Sequence, residues 1–347
     1  MISFYDVTLR DGNHALRHAL KPDFVRDYCK IAENSGVWAV EVGHGNGIGA
    51  SSFLVGKATS SDHVLLTAAR ESLDNVKLAV HAIPGFATIK KDILPAIKLG
   101  VDIFRIGTHV TEVTTARKHI EYIANQNLIV HGVLMMSHAI DTAGLVRQAR
   151  LMEEYGARAV IIMDSAGNYV PKDVAERITA VCDATSIDIG FHAHNNLGVG
   201  ISNALAAIDS GAVIVDGSSM GLGAGAGNAA LEGIVVNYRR TSGESLGLEK
   251  FLMLSQLIES EFSDFLPRTT SSSIQSGDAG VFSGFAPQVR QLSVEFGVSQ
   301  EDLWQELGKR RLVAGQESMI REIAQDLMNL QRKFEFRVVW GSCHRHS

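Results

Sequence analysis

Ser186-Ile187-Asp188-Ile189-Gly190-Phe191-His192-Ala193-His194-Asn195-Asn196 reads as a short apolar strand that ends in two histidines. In an extended chain, residues two apart point to the same side. His192 and His194 therefore present two imidazoles to one point from a rigid element. That is half of a metal site, and imidazole suits Mn, Fe, Co or Zn. Two structural histidines at a strand end are the competing interpretation, and the rest of the chain decides between them.

Working outward, the same kind of strand recurs in alternation with helical patterns. Strands are expected at about 2–8, 37–42, 78–83, 101–106, 128–135, 159–163, 186–194 and 212–216. Helices are expected near 22–35, 63–73, 87–98, 112–125, 141–155, 171–184, 198–210 and 226–240. Apolar, β-branched strands alternating with helices argue for a parallel sheet covered by helices. Eight such units point to a closed (β/α)8 TIM barrel, with an open doubly wound sheet as the alternative. Past residue 243 the strand signal stops, and helical patterns near 247–262, 286–297, 300–308 and 316–332 predict a small C-terminal α-helical domain. The expected organisation is a barrel over 1–243, a helical domain over 244–333 that is a possible partner-binding element, and a tail over 334–347. Thr269 to Ser273, just after Pro267, reads as a joint or exposed loop.

Composition narrows the function classes. The 347 residues are 46% hydrophobic and 20% charged, as in a globular protein. A formal net charge of -6 argues against a nucleic-acid surface. Three scattered cysteines cannot make a disulfide framework or a thiolate cluster. No apolar run reaches the ~18 residues of a membrane span. The chain opens directly on a strand with no basic, signal-like segment, so a cytoplasmic location is expected.

In such barrels the chemistry sits at the C-terminal ends of the strands. Those ends carry Arg10, Asp11 and His14 after the first strand, His44 after the second, His109 after the fourth and His138 after the fifth. Asp164 and Ser165 follow the sixth, and Asp216, Ser218 and the run Gly221 to Asn228 follow the eighth. Strands one, seven and eight are neighbours in a closed barrel, so Asp11 can meet His192 and His194. One carboxylate and two imidazoles leave open positions on a cation, which is the catalytic pattern. A Schiff-base lysine is the other device for stabilising a carbanion next to a carbonyl. No lysine stands at the C-terminal end of any expected strand, and Lys77 lies at the wrong end. Asn228 is expected to open the last barrel helix, either orienting the metal shell or acting as a plain cap. The glycine-rich run follows the eighth strand and does not open the chain, which argues against a dinucleotide fingerprint and for a tight turn beside a carboxylate. His44, His109 and His138 stand as supports of the site, as lining of a tunnel, or as structural histidines.

Thr8-Leu9-Arg10-Asp11-Gly12-Asn13-His14, His192-Ala193-His194-Asn195-Asn196-Leu197 and Gly221 to Asn228 together resemble the metal-dependent barrels that include 3-hydroxy-3-methylglutaryl-CoA lyase and isopropylmalate synthase. Within that group the chain is most similar to the class II pyruvate aldolases of the 4-hydroxy-2-oxovalerate aldolase family. Supporting segments are Glu41 to Gly47, Leu134 to His138 and Arg310 to Glu317, and the resemblance runs from about residue 3 to residue 330.

The resemblance implies a Mn2+-preferring site on Asp11, His192 and His194, with Co2+ or Mg2+ as other occupants. It implies that Arg10 binds the C2 oxygen of pyruvate and its enolate, that His14 takes the proton of the C4 hydroxyl, and that Ser165 lies beside the pyruvate carboxylate. It also implies an acylating acetaldehyde dehydrogenase partner bound through the C-terminal helices, hence a homo- or hetero-oligomer. The family's Gly-Tyr-Ala-Gly-Val-Tyr-Ser-Ser-Phe motif reads here Gly277-Asp278-Ala279-Gly280-Val281-Phe282-Ser283-Gly284-Phe285. Phe282 thus stands where the family's substrate-binding tyrosine handles the aldehyde oxygen. Two further readings stay open: a Claisen-type lyase or synthase acting on an acyl-CoA, and a non-catalytic subunit that binds a partner. The Cys343-His344-Arg345-His346 tail reads as an exposed terminus.

Overall fold

The computed structural model describes residues 2–244, 247–312, 316 and 318–343, with side chains through 331 in the last helix. The chain divides into two compact units, Met1–Thr269 and Thr270–Ser347.

The first unit is a closed, all-parallel eight-stranded barrel in sequential order: β1 (Ser3–Asp6), β2 (Ala39–Glu41), β3 (Lys77–Ala82), β4 (Ile103–His109), β5 (Ile129–Met135), β6 (Ala159–Asp164), β7 (Asp188–Ala193) and β8 (Ile214–Gly217). Closure is made by β1 on β8, with Tyr5 in register with Asp216. The period of two sorts the side chains. Tyr5, Ala39, Ala79, Ile103, Val133, Ile161 and Ile214 fill the lumen. Their neighbours Phe4, Val40, Leu78, Phe104, Leu134, Ile162 and Val215 pack outward beneath the helices. Two residues beyond the lumen apolar layer, the same inward positions carry Glu41, His81, Arg105, His192 and Asp216, all buried. A polar layer therefore lies between the apolar plug and the C-terminal mouth.

The covering helices follow the expected pattern. In Pro22–Ala32, proline opens the helix and Val25, Tyr28, Cys29 and Ala32 form its buried stripe at helical spacing. The barrel unit extends past the boundary expected at 243. Helix Leu248–Phe262 packs on the barrel: Phe251 lies edge-on to Phe4, and Phe262 meets Phe24 at 4.7 Å between ring centroids. Its apolar face is committed to the first unit, which ends at Thr269.

The second unit has its own core of Val281, Phe285, Val289, Leu292, Leu303, Trp304, Leu307, Ile320 and Ile323. Helices Ala286–Phe296, Gln300–Lys309 and Ser318–Cys343 supply most of it, and the shorter helix Ser271–Asp278 precedes them. The boundary between the units falls in the stretch expected as a joint, and Thr270 there caps a helix: Thr270 accepts from the Ser273 amide at 3.2 Å, and Ser273 accepts from the Thr270 amide at 2.7 Å. The final helix runs to Cys343, so a helical backbone reaches into the segment read as a tail. Val313 to Gly315, Glu317 and His344 to Ser347 lie outside the described residues.

Candidate active site

Asp11, His192 and His194 converge at the C-terminal mouth of the barrel, with one ligand atom from each within 4.8 Å of the others and all three residues buried. Hydrogen bonds from behind fix both imidazoles. His192 Nδ1 lies 2.9 Å from Asp216 Oδ2, and His194 Nδ1 lies 3.2 Å from the Gly227 carbonyl oxygen. A carbonyl or carboxylate oxygen accepts, so each Nδ1 carries the proton and each Nε2 is a bare lone pair. Those two Nε2 atoms face each other at 3.4 Å, beside the Asp11 carboxylate. Two acceptors and an anion aimed at one point fit a bound cation, and the outer hydrogen bonds are those that orient metal-bound histidines.

Asp11 is held from both sides. Asn228 Nδ2 donates to its Oδ2 at 2.9 Å, and Arg10 donates to its Oδ1 at 2.6 Å. Burial pushes the Asp11 carboxyl upward, but Arg10 and the nearby histidines outweigh it and hold it far below the usual carboxylate range. Burial also lowers His194 to about 4, against the opposing pull of Asp11, so it is neutral and available as a ligand. Asn228 is neither the first residue nor the cap of the last barrel helix, contrary to expectation. That helix is Leu231–Ser242, and Asn228 sits three residues earlier in an extended bridge opposite His194. Gly223 makes this packing possible: a Cβ there would stand 2.4 Å from Asn228 Nδ2 and 2.7 Å from Asp11 Oδ2.

Arg10 is buried and spans the site. Its Nε donates to Glu41 at 2.5 Å, one terminal nitrogen serves Asp11 and the Gly45 carbonyl, and the other has no hydrogen-bond partner. A buried, unpaired guanidinium nitrogen beside a cation site is a vacant donor for an anionic oxygen. Burial favours protonation of Glu41, but Arg10 and Arg105 hold its carboxyl at about 2.

His14 stands at the rim, half-buried, with a ring hydrogen bond to the Gly45 backbone. Desolvation, opposed by Asp11, lowers it to about 4, so the ring is neutral at pH 7 and its free nitrogen can accept a proton. It leans edge-on against His18 at 5.2 Å between ring centroids, and His18 stacks on His44 at 3.6 Å. His44 donates from Nε2 to the Gly56 carbonyl at 3.0 Å and accepts from the Asn46 amide at 3.1 Å. The expected support residue His44 therefore pins the loop after β2. Ser165, buried after β6, accepts from the Met136 amide at 2.9 Å, which leaves its own proton to donate. His109, the half-buried last residue of β4, bonds Thr111. His138 lies in the short 3-10 turn after β5. Phe282 belongs to the second unit, where its ring lies edge-on to Phe285.

The sequence reading missed the lumen ion pairs. Arg105 Nη2 donates to Asp216 Oδ2 at 2.7 Å, and its Nη1 donates to Glu41 Oε2 at 3.4 Å. The available signal was a charged residue at an inward position of an otherwise apolar strand, Ile103-Phe104-Arg105-Ile106.

Comparison with known proteins agrees with this geometry. Residues 1–259 match the HMGL-like family, and residues 267–329 match the DmpG-like communication domain. The 4-hydroxy-2-oxovalerate aldolase of Pectobacterium atrosepticum is 47% identical over 93% of this chain and 94% of its own length. That of Spirochaeta aurantia is 48% identical over 93% and 95%. Among solved structures, Rhizobium etli pyruvate carboxylase superposes with a TM-score of 0.81 at 18% identity, over 95% of this chain and 32% of that one. Its carboxyl transferase domain gives 0.78 at 18% identity, over 96% and 60%. These structural matches show the barrel fold alone. With sequence relatives at this identity along almost the whole of both chains, the chain belongs to the 4-hydroxy-2-oxovalerate aldolase family, built on the HMGL-like barrel.

Proposed function

We propose that this chain is a divalent-metal-dependent aldolase that cleaves 4-hydroxy-2-oxo acids, of the 4-hydroxy-2-oxovalerate type, to pyruvate and an aldehyde. The observation that carries the proposal is the pair of bare Nε2 atoms 3.4 Å apart, next to Asp11 and to the vacant donor of Arg10. Asp11, His192 and His194 would hold the cation, Mn2+ foremost and Co2+ or Mg2+ otherwise, which when bound supplies Lewis-acid polarisation of the 2-oxo acid.

The protein's own groups do the rest. The free NH2 of Arg10 donates to the C2 oxygen, where negative charge grows in the transition state. His14 accepts the proton of the C4 hydroxyl. The O–H electron pair becomes the second bond of the aldehyde carbonyl, the C3–C4 bond breaks, and its pair enters the C2–C3 enolate. Protonation of C3 then gives the pyruvate methyl group. Ser165 donates to the substrate carboxylate. The resemblance assigns Phe282 to the aldehyde end, where its phenyl ring supplies no hydroxyl.

The match of 267–329 to the DmpG-like communication domain supports a second protein as partner, and we propose an acylating acetaldehyde dehydrogenase that receives the aldehyde. The location we propose is the cytoplasm. The names of the long-matching relatives favour the aldolase over a Claisen-type lyase, and the assembled metal triad favours an enzyme over a binding subunit.

The test is pyruvate release from 4-hydroxy-2-oxo acids of graded length, by metal-stripped protein with and without added Mn2+. Activity that appears only with metal is expected. Arg10→Lys keeps the charge but loses the planar fork, so it is expected to reduce both cleavage and exchange of the pyruvate methyl protons. His14→Ala is expected to reduce cleavage much more than exchange. Pyruvate release that survives full metal removal, or none from any chain length with Mn2+ present, would sink the proposal.

A further inference from the structure

Two of the metal ligands, Asp11 after β1 and His192 on β7, are joined by a continuous chain of charged hydrogen bonds through the barrel lumen. Asp11 is bonded to Arg10 at 2.6 Å, Arg10 to Glu41 at 2.5 Å, Glu41 to Arg105 at 3.4 Å, Arg105 to Asp216 at 2.7 Å, and Asp216 to His192 at 2.9 Å. Signs alternate along it, and a cation between Asp11 and His192 would close it into a ring. Arg105 is the midpoint. It is wholly buried, its guanidinium lies over the Tyr5 ring at 4.3 Å, and it touches neither the ligand triad nor the vacant donor of Arg10.

We infer that Arg105 is a positioning residue that holds the metal site and the enolate-binding arginine in mutual register. One prong fixes Asp216, which fixes the tautomer and tilt of His192. The other prong fixes Glu41, which fixes the direction of Arg10. Two facts on this network separate positioning from mere filling of the lumen. Buried ion pairs contribute little net stability compared with apolar packing, so a barrel interior does not need this one in order to fold. The network also leaves Arg105 Nε and Asp216 Oδ1 without partners, which a purely structural cluster would tend to pair. Two guanidiniums against the carboxylates of Asp11, Glu41 and Asp216 leave one net negative charge beside a site suited to a divalent cation. The carboxylate reach of Arg105 is bidentate in function, one prong to each acid, and a lysine has a single ammonium with which to replace it.

This inference rests on the proposed aldolase reading for its Arg10 arm, and not for its metal arm. The experiment therefore uses two readouts on the full-length protein. The first is the Mn2+ dissociation constant of the metal-stripped protein, followed by electron paramagnetic resonance. The second is the exchange rate of pyruvate methyl protons at saturating Mn2+. Arg105→Lys is expected to weaken Mn2+ binding tenfold or more, the range seen when outer partners of metal-bound histidines are lost. It is also expected to slow exchange at least tenfold after metal is restored. Asp216→Asn keeps shape and serves if Arg105→Lys does not fold; it is expected to weaken Mn2+ binding to a similar degree. Glu41→Gln, which leaves Asp216 and His192 untouched, is expected to slow exchange at saturating metal. A folded Arg105→Lys or Asp216→Asn protein that binds Mn2+ within twofold of wild type overturns the metal arm. Exchange unchanged in Arg105→Lys or Glu41→Gln overturns the Arg10 arm, and loss of either arm removes the coupling. If wild type itself exchanges no pyruvate protons, the aldolase reading fails while the Mn2+ comparison still stands.

Discussion

At the scale of single residues, the site depends on which lone pairs are left free. His192 and His194 are each committed at Nδ1, so their Nε2 atoms have no other use than a cation or proton. Arg10 has three of its bonds assigned and one nitrogen vacant. Phe282 is one residue at which this chain departs from the family motif it resembles. The resemblance implies that a tyrosine hydroxyl there donates a hydrogen bond to the aldehyde oxygen as the carbon–carbon bond breaks. Such a neutral bond contributes about 0.5–1.5 kcal/mol net, or roughly threefold to tenfold in rate. On the proposed reading the phenyl ring leaves that end of the substrate without a directional partner, so relaxed discrimination between C4 enantiomers is expected. Phe282→Tyr is expected to raise kcat/KM by that factor and to sharpen the preference for one enantiomer. The check is kcat/KM on both C4 enantiomers of a 4-hydroxy-2-oxo acid for the two proteins. Strict stereospecificity in wild type, with no gain from tyrosine, would show that the discrimination is made elsewhere.

At the scale of elements, the segment from Gly221 to Ala230 does more than connect β8 to its helix. It bridges His194 at Asn228, places the Gly227 carbonyl on His194 and the Asn228 amide on Asp11, and admits the Asn228–Asp11 bond only because Gly223 has no side chain. Gly223→Ala inserts a methyl group 2.4 Å from the Asn228 amide nitrogen. Asn228 must withdraw, and a hydrogen bond to a charged group is worth about 1.5–3 kcal/mol. Metal affinity is expected to fall about 10–100-fold with the fold retained, read by titrating Mn2+ into metal-stripped protein. Wild-type affinity in that variant would show that the segment only turns the chain. This element also marks the limit of what the sequence discloses. The eight alternations are legible because burial imposes period two on strands and helical spacing on their covers. The meeting of Asp11 with His192 and His194 follows from barrel closure, which makes the first strand a neighbour of the eighth. The start of the last helix is not legible, because Asn228 is a good cap residue and its extended pairing with His194 is a long-range fact. Helix Leu248–Phe262 is recognisable as a helix, but nothing in it states that Phe251 and Phe262 pack on Phe4 and Phe24. The Glu41–Arg105–Asp216 chain escapes notice because an isolated charge on a strand looks like a solvated face until the register turns it inward.

At the scale of the whole molecule, the barrel carries an unusual load of titratable groups in its interior, and this sets how the fold answers to pH. Burial, helped by the positive charge of Arg105 nearby, holds His131 at about 3; burial and Arg10 do the same for His81. Both are buried in the folded protein and free to titrate near 6.5 once unfolded. Between pH 6.5 and about 3 the unfolded chain therefore binds protons that the folded chain refuses. Folding stability is full above 6.5 and falls as the pH drops through that window. Each such histidine contributes a slope of roughly 1.4 kcal/mol per pH unit. Glu41 acts in the same direction lower down: its folded value of about 2 stabilises the fold above its ordinary range near 4.5, and that stability is lost as pH falls toward 2. His131 stacks on Trp38 at 5.9 Å between ring centroids, and its Nδ1 has no partner, so an aromatic ring replaces it with little loss of packing. Urea unfolding of metal-free protein from pH 7.5 to 5 is expected to show stability falling steadily below 6.5, and His131→Phe is expected to flatten that fall by its own share. A midpoint that stays level from pH 7 to 5, or an unchanged slope in His131→Phe, would mean that the lumen histidines take up their protons without unfolding the barrel.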